Sequence, residues 1–474
     1  MARGNLILEN IQVDSYANEG KSIAHSEGKV IFVKGGVPGD VVNIVIEKNK
    51  KDWMEGSVVR VIEASHDRIQ PFCPHFGYCG GCQWQHMKYE MQLKYKQLAV
   101  EDTLERIGKI HIKEKLSIAG SEKDRHYRNK LEFTFCKSEW IRIEDWKNNP
   151  DQVKNAALGY HLPGAFDRVF DVKTCPLQPP LNDSIRLAIR NFTIAEGYEY
   201  FDLRKQTGDL RNLIIRITLT GEVMVVVVFS TSDDHKILKL MEFIKTKFPE
   251  ITSLQYVINQ KRNDTIYDLE VITYSGNDYV QEHLEDLKFK ISAKSFFQTN
   301  TRQAEKLYQC VRDFAELDRE DFVLDLYTGT GSIALFLARQ CKKVVGVEQA
   351  EQAIDDAREN AKLNNITNAD FYQADISKIS SQPFYADISS ATKEQSNRSI
   401  VITDPPRAGM HPQVISELLQ LAPDKIIYVS CNPATQARDL QFLAEQYSVE
   451  KIRPFDLFPQ THHVENIAEL IKKL

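Results

Sequence analysis

After about residue 290 the chain alternates short apolar runs with longer amphipathic stretches, and no other feature restricts its fold so strongly. The runs are Phe322–Tyr327, Lys343–Glu348, Ser399–Asp404 and Lys425–Ser430, each rich in apolar residues. Short runs of this kind, bounded by glycine, proline or an acid, read as strands. The segment Ala353–Leu363 between two of them has helical spacing. Strands alternating with helices form a doubly wound α/β domain around a mostly parallel sheet, expected over 291–474.

Upstream the pattern differs. Residues 1–63 read as short strands punctuated by glycine and proline: Gly28-Lys-Val-Ile-Phe-Val33, Val41–Ile46 and Gly56–Ile62. Such spacing predicts a small OB-like β-barrel, a shape that often binds nucleic acid. Residues 64–290 are expected to form a mainly β central domain, with strands at Leu131–Phe135, Asn212–Leu219 and Val223–Ser230. Within it, Leu93, Leu98, Val100, Leu104 and Ile107 recur at helical spacing and predict a packing helix over 89–110. The polar stretch between Ile376 and Arg398 reads as a surface loop without chemistry.

Composition sets outer limits. The 474 residues exceed one ordinary core, and 42% hydrophobic with 27% charged residues describes a soluble globular protein. No run approaches the roughly eighteen apolar residues of a membrane span. Met1-Ala-Arg-Gly-Asn leads into Leu6 without a signal-peptide core, so a cytoplasmic location is expected. Net charge is −6, which gives a polyanionic partner no global support. Any basic surface is local: residues 83–130 hold eleven Lys/Arg against seven Asp/Glu.

Eight cysteines in a chain without a leader favour metal or catalysis over disulfides. Cys73, Cys79 and Cys82 fall within ten residues broken by glycines, a loop able to wrap a soft metal centre. Cys175, followed by proline as Cys73 is, is the best fourth ligand. A [4Fe–4S] cluster suits one group of three plus a distant fourth better than zinc, whose sites usually pair Cys-x-x-Cys knuckles. Cys136, in an apolar strand, reads as core.

The chemistry-bearing residues lie at strand ends. Gly329-x-Gly331-x-x-Ala334 lets the backbone approach a ligand, in nicotinamide and S-adenosylmethionine enzymes alike. Glu348 ends the second strand, near the spacing at which a carboxylate takes both ribose hydroxyls. Asp375 follows a third strand. Asp404-Pro-Pro-Arg-Ala-Gly409 follows the fourth, a segment for which a dehydrogenase has no use. Finally Ile426–Ser430 delivers Cys431 into the turn Ser430-Cys-Asn-Pro433. A buried small hydrophobe is the commoner role for a lone cysteine, but strand ends are where ligands sit.

With these motifs in hand, the chain resembles the TRAM-containing, iron–sulfur RNA (uracil-5-)-methyltransferase family, most closely its members acting on 23S ribosomal RNA. The stretch Gly28-Lys-Val with Val37-Pro-Gly-Asp40 is similar to a TRAM barrel, and the match runs on to His463-Val-Glu465. The resemblance implies S-adenosylmethionine as methyl donor, with Gln298, Tyr327, Glu348, Asp375 and Asp404 around it. It implies Cys73, Cys79, Cys82 and Cys175 as cluster ligands, Cys431 as nucleophile and Glu465 as the base. On residues alone Glu465 reads equally as a carboxylate starting a helix. A thiolate is what uracil chemistry needs, since addition to carbon-6 makes carbon-5 nucleophilic. Expected partners are RNA, 23S favoured and tRNA an alternative, with no membrane and a monomeric chain. The rivals are a non-catalytic RNA-binding iron–sulfur protein and, remotely, an NAD-dependent oxidoreductase.

Overall fold

The structure, a computed structural model, describes residues 6–148, 156–391 and 398–473. The chain divides into two compact units. One comprises Met1–Asp124, Pro406–Gly409 and Ser430–Ala468; the other comprises Arg125–Pro405, Met410–Val429 and Glu469–Leu474.

The first unit opens with a closed five-stranded barrel in the order Ile7–Tyr16, Ser22–Ser26, Lys29–Lys34, Trp53–Glu63, Val41–Asn49. Alternate residues turn inward, as the two-residue period of a strand requires: Ile31 and Val33, then Val42, Ile44 and Ile46. Gly56 permits the closure, because a Cβ there would lie 2.4 Å from the Val45 carbonyl oxygen. Asp40 of the Val-Pro-Gly-Asp turn is fully buried. Its carboxylate accepts from Val37 N–H at 2.6 Å, Ser65 N–H at 2.8 Å and Arg68 Nη2 at 2.6 Å. That acid stitches the barrel to the chain that leaves it.

The helix Tyr89–Asp102 and the π turn Thr103–Ile107 lie where the spacing predicts, but the buried face differs. Leu98 and Ile107 are exposed, at 42% and 65%, while Gln92, Lys96, Val100, Thr103 and Leu104 are buried. Partners for the two polar side chains decide this: each finds hydrogen bonds in the interior, so its burial leaves no orphaned group.

The second unit contains a seven-stranded sheet from Ile272–Gly276 to Ala165–Asp171, with Val223–Phe229, Leu210–Ile217 and Lys130–Cys136 at its centre. Its pairings are antiparallel except Val223–Phe229 with Ser253–Ile258. Two helices that the mainly β reading lacks, Pro180–Ala195 and Asp234–Lys247, supply Ile185, Ile189, Ile237, Leu240, Met241 and Ile244 to the sheet's core. Their apolar residues fall three and four apart, the period that buries one helix face. Cys136 is buried, as expected.

The same unit holds five parallel strands in the order Ala369–Gln373, Lys343–Glu348, Phe322–Leu326, Ser399–Thr403, Lys425–Ser430. The order reverses between Phe322–Leu326 and Ser399–Thr403, which creates a crevice at their carboxyl ends. The stretch after Ile376 is not the expected loop. It forms a 3-10 turn, Ile376–Ser381, and a helix, Tyr385–Ala391, anchored by buried Ile376, Ile379, Phe384 and Ile388. The remainder of that expectation, 392–397, lies outside the described residues. Among the described residues, no helix is long and apolar enough to cross a membrane.

Candidate active site

At the strand ends of the second unit, the turn after Phe322–Leu326 carries positive φ at Tyr327 (62°), Gly329 (55°) and Gly331 (76°). Gly331 is also sterically required: a Cβ there would meet the Phe371 ring at 2.9 Å. Glu348 is half-buried beside this turn. Its Oε2 accepts from Gly329 N–H at 3.3 Å, and its Oε1 accepts from Gln349 N–H at 2.8 Å and Ala350 N–H at 3.1 Å. A carboxylate so anchored keeps acceptor capacity for hydroxyls. Asp375, exposed on the next strand's exit, accepts from Ser377 N–H at 3.0 Å and Oγ at 2.7 Å. Those hydrogen bonds hold its carboxyl below the usual range. Gln349 Nε2 lies 3.5 Å from it.

Asp404 follows the strand on the other side of the switch. Burial, and then the negative charge of Asp325, push its carboxyl up to about 7. Asp325 is itself buried and raised to about 7, chiefly by burial, although Thr328 Oγ1 donates to it at 2.5 Å. Gln298 is half-buried just before the helix Thr301–Ala315; its carbonyl accepts from Asn129 Nδ2 at 2.9 Å. The structure thus brings Glu348 to the glycine turn, links Asp375 to it through Gln349, and couples Asp404 to Asp325, a residue the motif reading passed over.

Cys431 lies in the first unit, half-buried, in a cavity of about 730 Å³. It immediately precedes Asn432, the N-cap of the helix Pro433–Leu443, whose side chain accepts from Ala434 N–H at 3.1 Å. A thiol at a helix N-terminus is favoured as thiolate by the helix dipole. Asn432 Nδ2 and Thr435 Oγ1 donate to the Arg407 carbonyl at 3.0 and 3.3 Å, which seats Arg407 on the same cavity.

Part of the cavity lining is aromatic. Tyr16 lies 4.9 Å from Trp84 and 4.8 Å from Tyr95, centroid to centroid, and Trp84 Nε1 donates to the Gly20 carbonyl at 3.1 Å. Such rings are platforms for an unstacked base. His462 and His463 complete the lining, their rings 4.2 Å apart, with His462 Nδ1 2.6 Å from Gln83 Oε1. Burial, followed by the positive charges of Lys96 and Arg407, pulls the His462 pKa down. Tyr16, Trp84, Tyr95 and His462 carry no local sequence signal, whereas His463 falls in the His463-Val-Glu465 motif.

Glu465 is buried and opens the strand Glu465–Lys472, which removes the helix-start reading. The cavity lining reaches Val464, one residue before it.

Cys73, Cys79 and Cys82 are half-buried in one loop turned by Gly77 and Gly80, both at positive φ. Cys73 N–H donates to Gln85 Oε1 at 3.0 Å, and the loop leads straight into Gln83 and Trp84 of the cavity wall. Cys175 belongs to the other unit, its N–H bonded to the Asp183 carboxylate at 3.0 Å. Thiolates are the right donors for iron or zinc. Among the described residues, however, no three Cys, His, Asp or Glu side chains converge as a metal's ligands do.

A family model described as tRNA (Uracil-5-)-methyltransferase matches residues 212–473. An uncharacterized RNA methyltransferase of Bacteroides thetaiotaomicron is 47% identical over 457 residues, covering 96% of this chain and 99% of that protein. Another, of Porphyromonas gingivalis, is 46% identical over 470 residues, covering 98% and 99%. The crystal structure of Pyrococcus abyssi tRNA (uracil-54, C5)-methyltransferase in complex with S-adenosyl-L-homocysteine superposes with a TM-score of 0.72 at 27% identity, covering 97% of this chain and 100% of that one.

The parallel sheet with its crevice is the fold of an S-adenosylmethionine-dependent methyltransferase. This chain belongs to the tRNA (uracil-5-)-methyltransferase family and methylates uracil carbon-5 in RNA.

Proposed function

We propose that this enzyme methylates a uridine of structured RNA, 23S ribosomal RNA favoured, through a covalent bond between Cys431 and the base. The observation that carries the proposal is the position of Cys431: at a helix N-terminus, in a cavity with an aromatic wall. The Cys431 thiolate adds to uracil carbon-6, and the electron pair gathers at carbon-5. S-adenosylmethionine supplies the methyl group that carbon-5 accepts. Glu465 then takes the carbon-5 proton, the carbon–carbon double bond re-forms, and the Cys431 sulfur leaves as thiolate.

Gln298, Tyr327, Glu348, Asp375 and Asp404 are assigned to the cofactor. Glu348 is suited to ribose hydroxyls by its fixed carboxylate, and Asp404 to the reactive end by its place after the fourth strand. Extruding the uridine costs a few kcal/mol; stacking on the partly exposed rings of Tyr16 and Tyr95 and grip by the barrel, 1–63, would offset it. Cys73, Cys79, Cys82 and Cys175 are proposed as ligands of a structural [4Fe–4S] cluster, on the sequence resemblance and the donor chemistry. Iron and sulfide analysis of the purified protein tests that part, and a metal-free, fully active chain refutes it. A cytoplasmic monomer completes the reading.

The alternative target is tRNA, favoured by the likeness to the archaeal tRNA enzyme. One experiment addresses both. Cellular RNA carrying 5-fluorouridine should trap the enzyme, because fluorine at carbon-5 cannot leave as a cation. An adduct that survives denaturing electrophoresis and is lost in Cys431→Ala supports the mechanism, and sequencing the trapped RNA names the target. No adduct from folded, cofactor-bound protein would remove the covalent mechanism.

A further inference from the structure

A buried ion pair stands behind the wall of the Cys431 cavity, and the chemistry above makes no use of it. Lys96 Nζ lies 2.6 Å from Asp456 Oδ1, and both side chains are wholly shielded from solvent. The ammonium also donates to the Phe458 carbonyl at 3.1 Å and stands 5.9 Å from the Trp84 ring centroid. The Asp456 carboxylate collects two further donors, the Tyr89 hydroxyl at 2.9 Å and Phe458 N–H at 3.1 Å.

One helical turn before Lys96, Gln92 is joined reciprocally to Gln460. Gln92 Nε2 donates to Gln460 Oε1 at 3.0 Å, and Gln460 N–H donates to Gln92 Oε1 at 3.0 Å. Gln460 has φ 70°, a left-handed conformation that a non-glycine residue keeps only where its surroundings over-determine it. They do so here. Its carbonyl accepts from Gln83 and Trp84 N–H, and its side chain also donates to Asp124 at 3.0 Å.

Buried ion pairs rarely add stability over apolar residues of equal volume, because desolvation consumes the Coulombic gain. What a pair with four directed hydrogen bonds does impose is a single geometry. The segment so fixed, Asp456–His463, supplies His462 and His463 to the cavity and runs through Val464 into Glu465.

We propose that Lys96 and Asp456, with Gln92 and Gln460, are positioning residues for proton removal: they hold the turn that delivers Glu465 to carbon-5 of the methylated base. This rests on the reading in which Cys431 adds to uracil and Glu465 accepts the proton. In that step Glu465 takes the proton, the C–H pair re-forms the double bond, and the bond from Cys431 sulfur to carbon-6 breaks. A displaced Glu465 leaves that bond intact after the methyl group has moved.

The test uses the full chain with Lys96→Met and Asp456→Leu together, so that neither charge is left buried alone. Turnover on ordinary uridine RNA should fall about tenfold or more, the scale of a modest misplacement of a catalytic group. A covalent protein–RNA adduct carrying labelled methyl should accumulate on denaturing gels. The ratio of adduct to released product in a single turnover does not depend on the folded fraction, so it decides the matter even where part of the variant unfolds. A raised ratio supports the clamp; an unchanged ratio overturns it. Trapping of the wild type by 5-fluorouridine RNA separates the two failures. No trap removes the parent reading, whereas a wild-type trap with an unchanged variant ratio removes the clamp alone.

Discussion

Gln436 and Asn466 share two hydrogen bonds: Asn466 Nδ2 donates to Gln436 Oε1 at 2.8 Å, and Gln436 Nε2 donates to the Asn466 carbonyl at 3.4 Å. Gln436 sits in the first turn of the helix that Cys431 precedes, and Asn466 directly follows Glu465. One fully buried amide pair therefore joins the element of the proposed nucleophile to that of the proposed base.

Gln436→Leu should thus cost about 1–3 kcal/mol of stability, the penalty for orphaning a buried polar partner. Chemical denaturation checks the magnitude. Adduct decay with uridine RNA should slow in the same variant, since the two elements lose their direct tie.

Glu348→Ala removes the acceptor anchored beside Gly329. Loss of hydrogen bonds to a charged group amounts to about 1.5–3 kcal/mol, so S-adenosylmethionine affinity should fall roughly ten- to hundredfold. Calorimetric titration measures this directly, and RNA affinity should be unaffected. Unchanged cofactor binding would take Glu348 out of the site.

The raised pKa of Asp404 has a definite sign in stability. Its folded value of about 7 lies above the ordinary 3.8, so the folded state binds the extra proton between those two pH values. Stability from this group is complete below 3.8, declines as pH rises toward 7, and is constant beyond. Asp404→Asn removes the decline and relieves Asp325. Its melting temperature relative to the wild type should climb across that window and level off above it. A constant difference across a pH series of thermal melts would refute the assignment.

Gly20 has φ 77°, and a Cβ there would stand 2.9 Å from His462 Cβ and 3.0 Å from its Nδ1. Gly20→Ala should cost about 1–2 kcal/mol from the left-handed backbone alone. It should also push His462 off Gln83. Weaker RNA binding with unaltered S-adenosylmethionine binding is the expected pattern, read by filter binding and calorimetry.

Much of this arrangement was legible in the residues. The strands at Phe322, Lys343, Ser399 and Lys425 begin where their apolar runs begin, because short apolar runs stopped by glycine, acid or proline are a local signal. Glu348, Asp375, Asp404 and Cys431 follow strand ends for the same reason. The failures share a cause. Gln92 and Lys96 look like the solvent face of a helix, yet they are buried, since partners some 360 residues away satisfy them. The apolar residues after Ile376 were outweighed by polar neighbours, and only packing showed a turn and helix there.

By itself, then, the sequence determined the elements and the chemistry: an α/β sheet with a ligand turn, acids at its strand ends and one thiol delivered into a turn. These follow from short-range periodicity and side-chain type. Tertiary structure alone decided that Tyr16, Trp84, Tyr95 and His462 line one cavity with Cys431, that burial and then Asp325 raise Asp404, and that Lys96 meets Asp456. Charge coupling and burial depend on distances between segments far apart in the chain, and no local pattern encodes those distances.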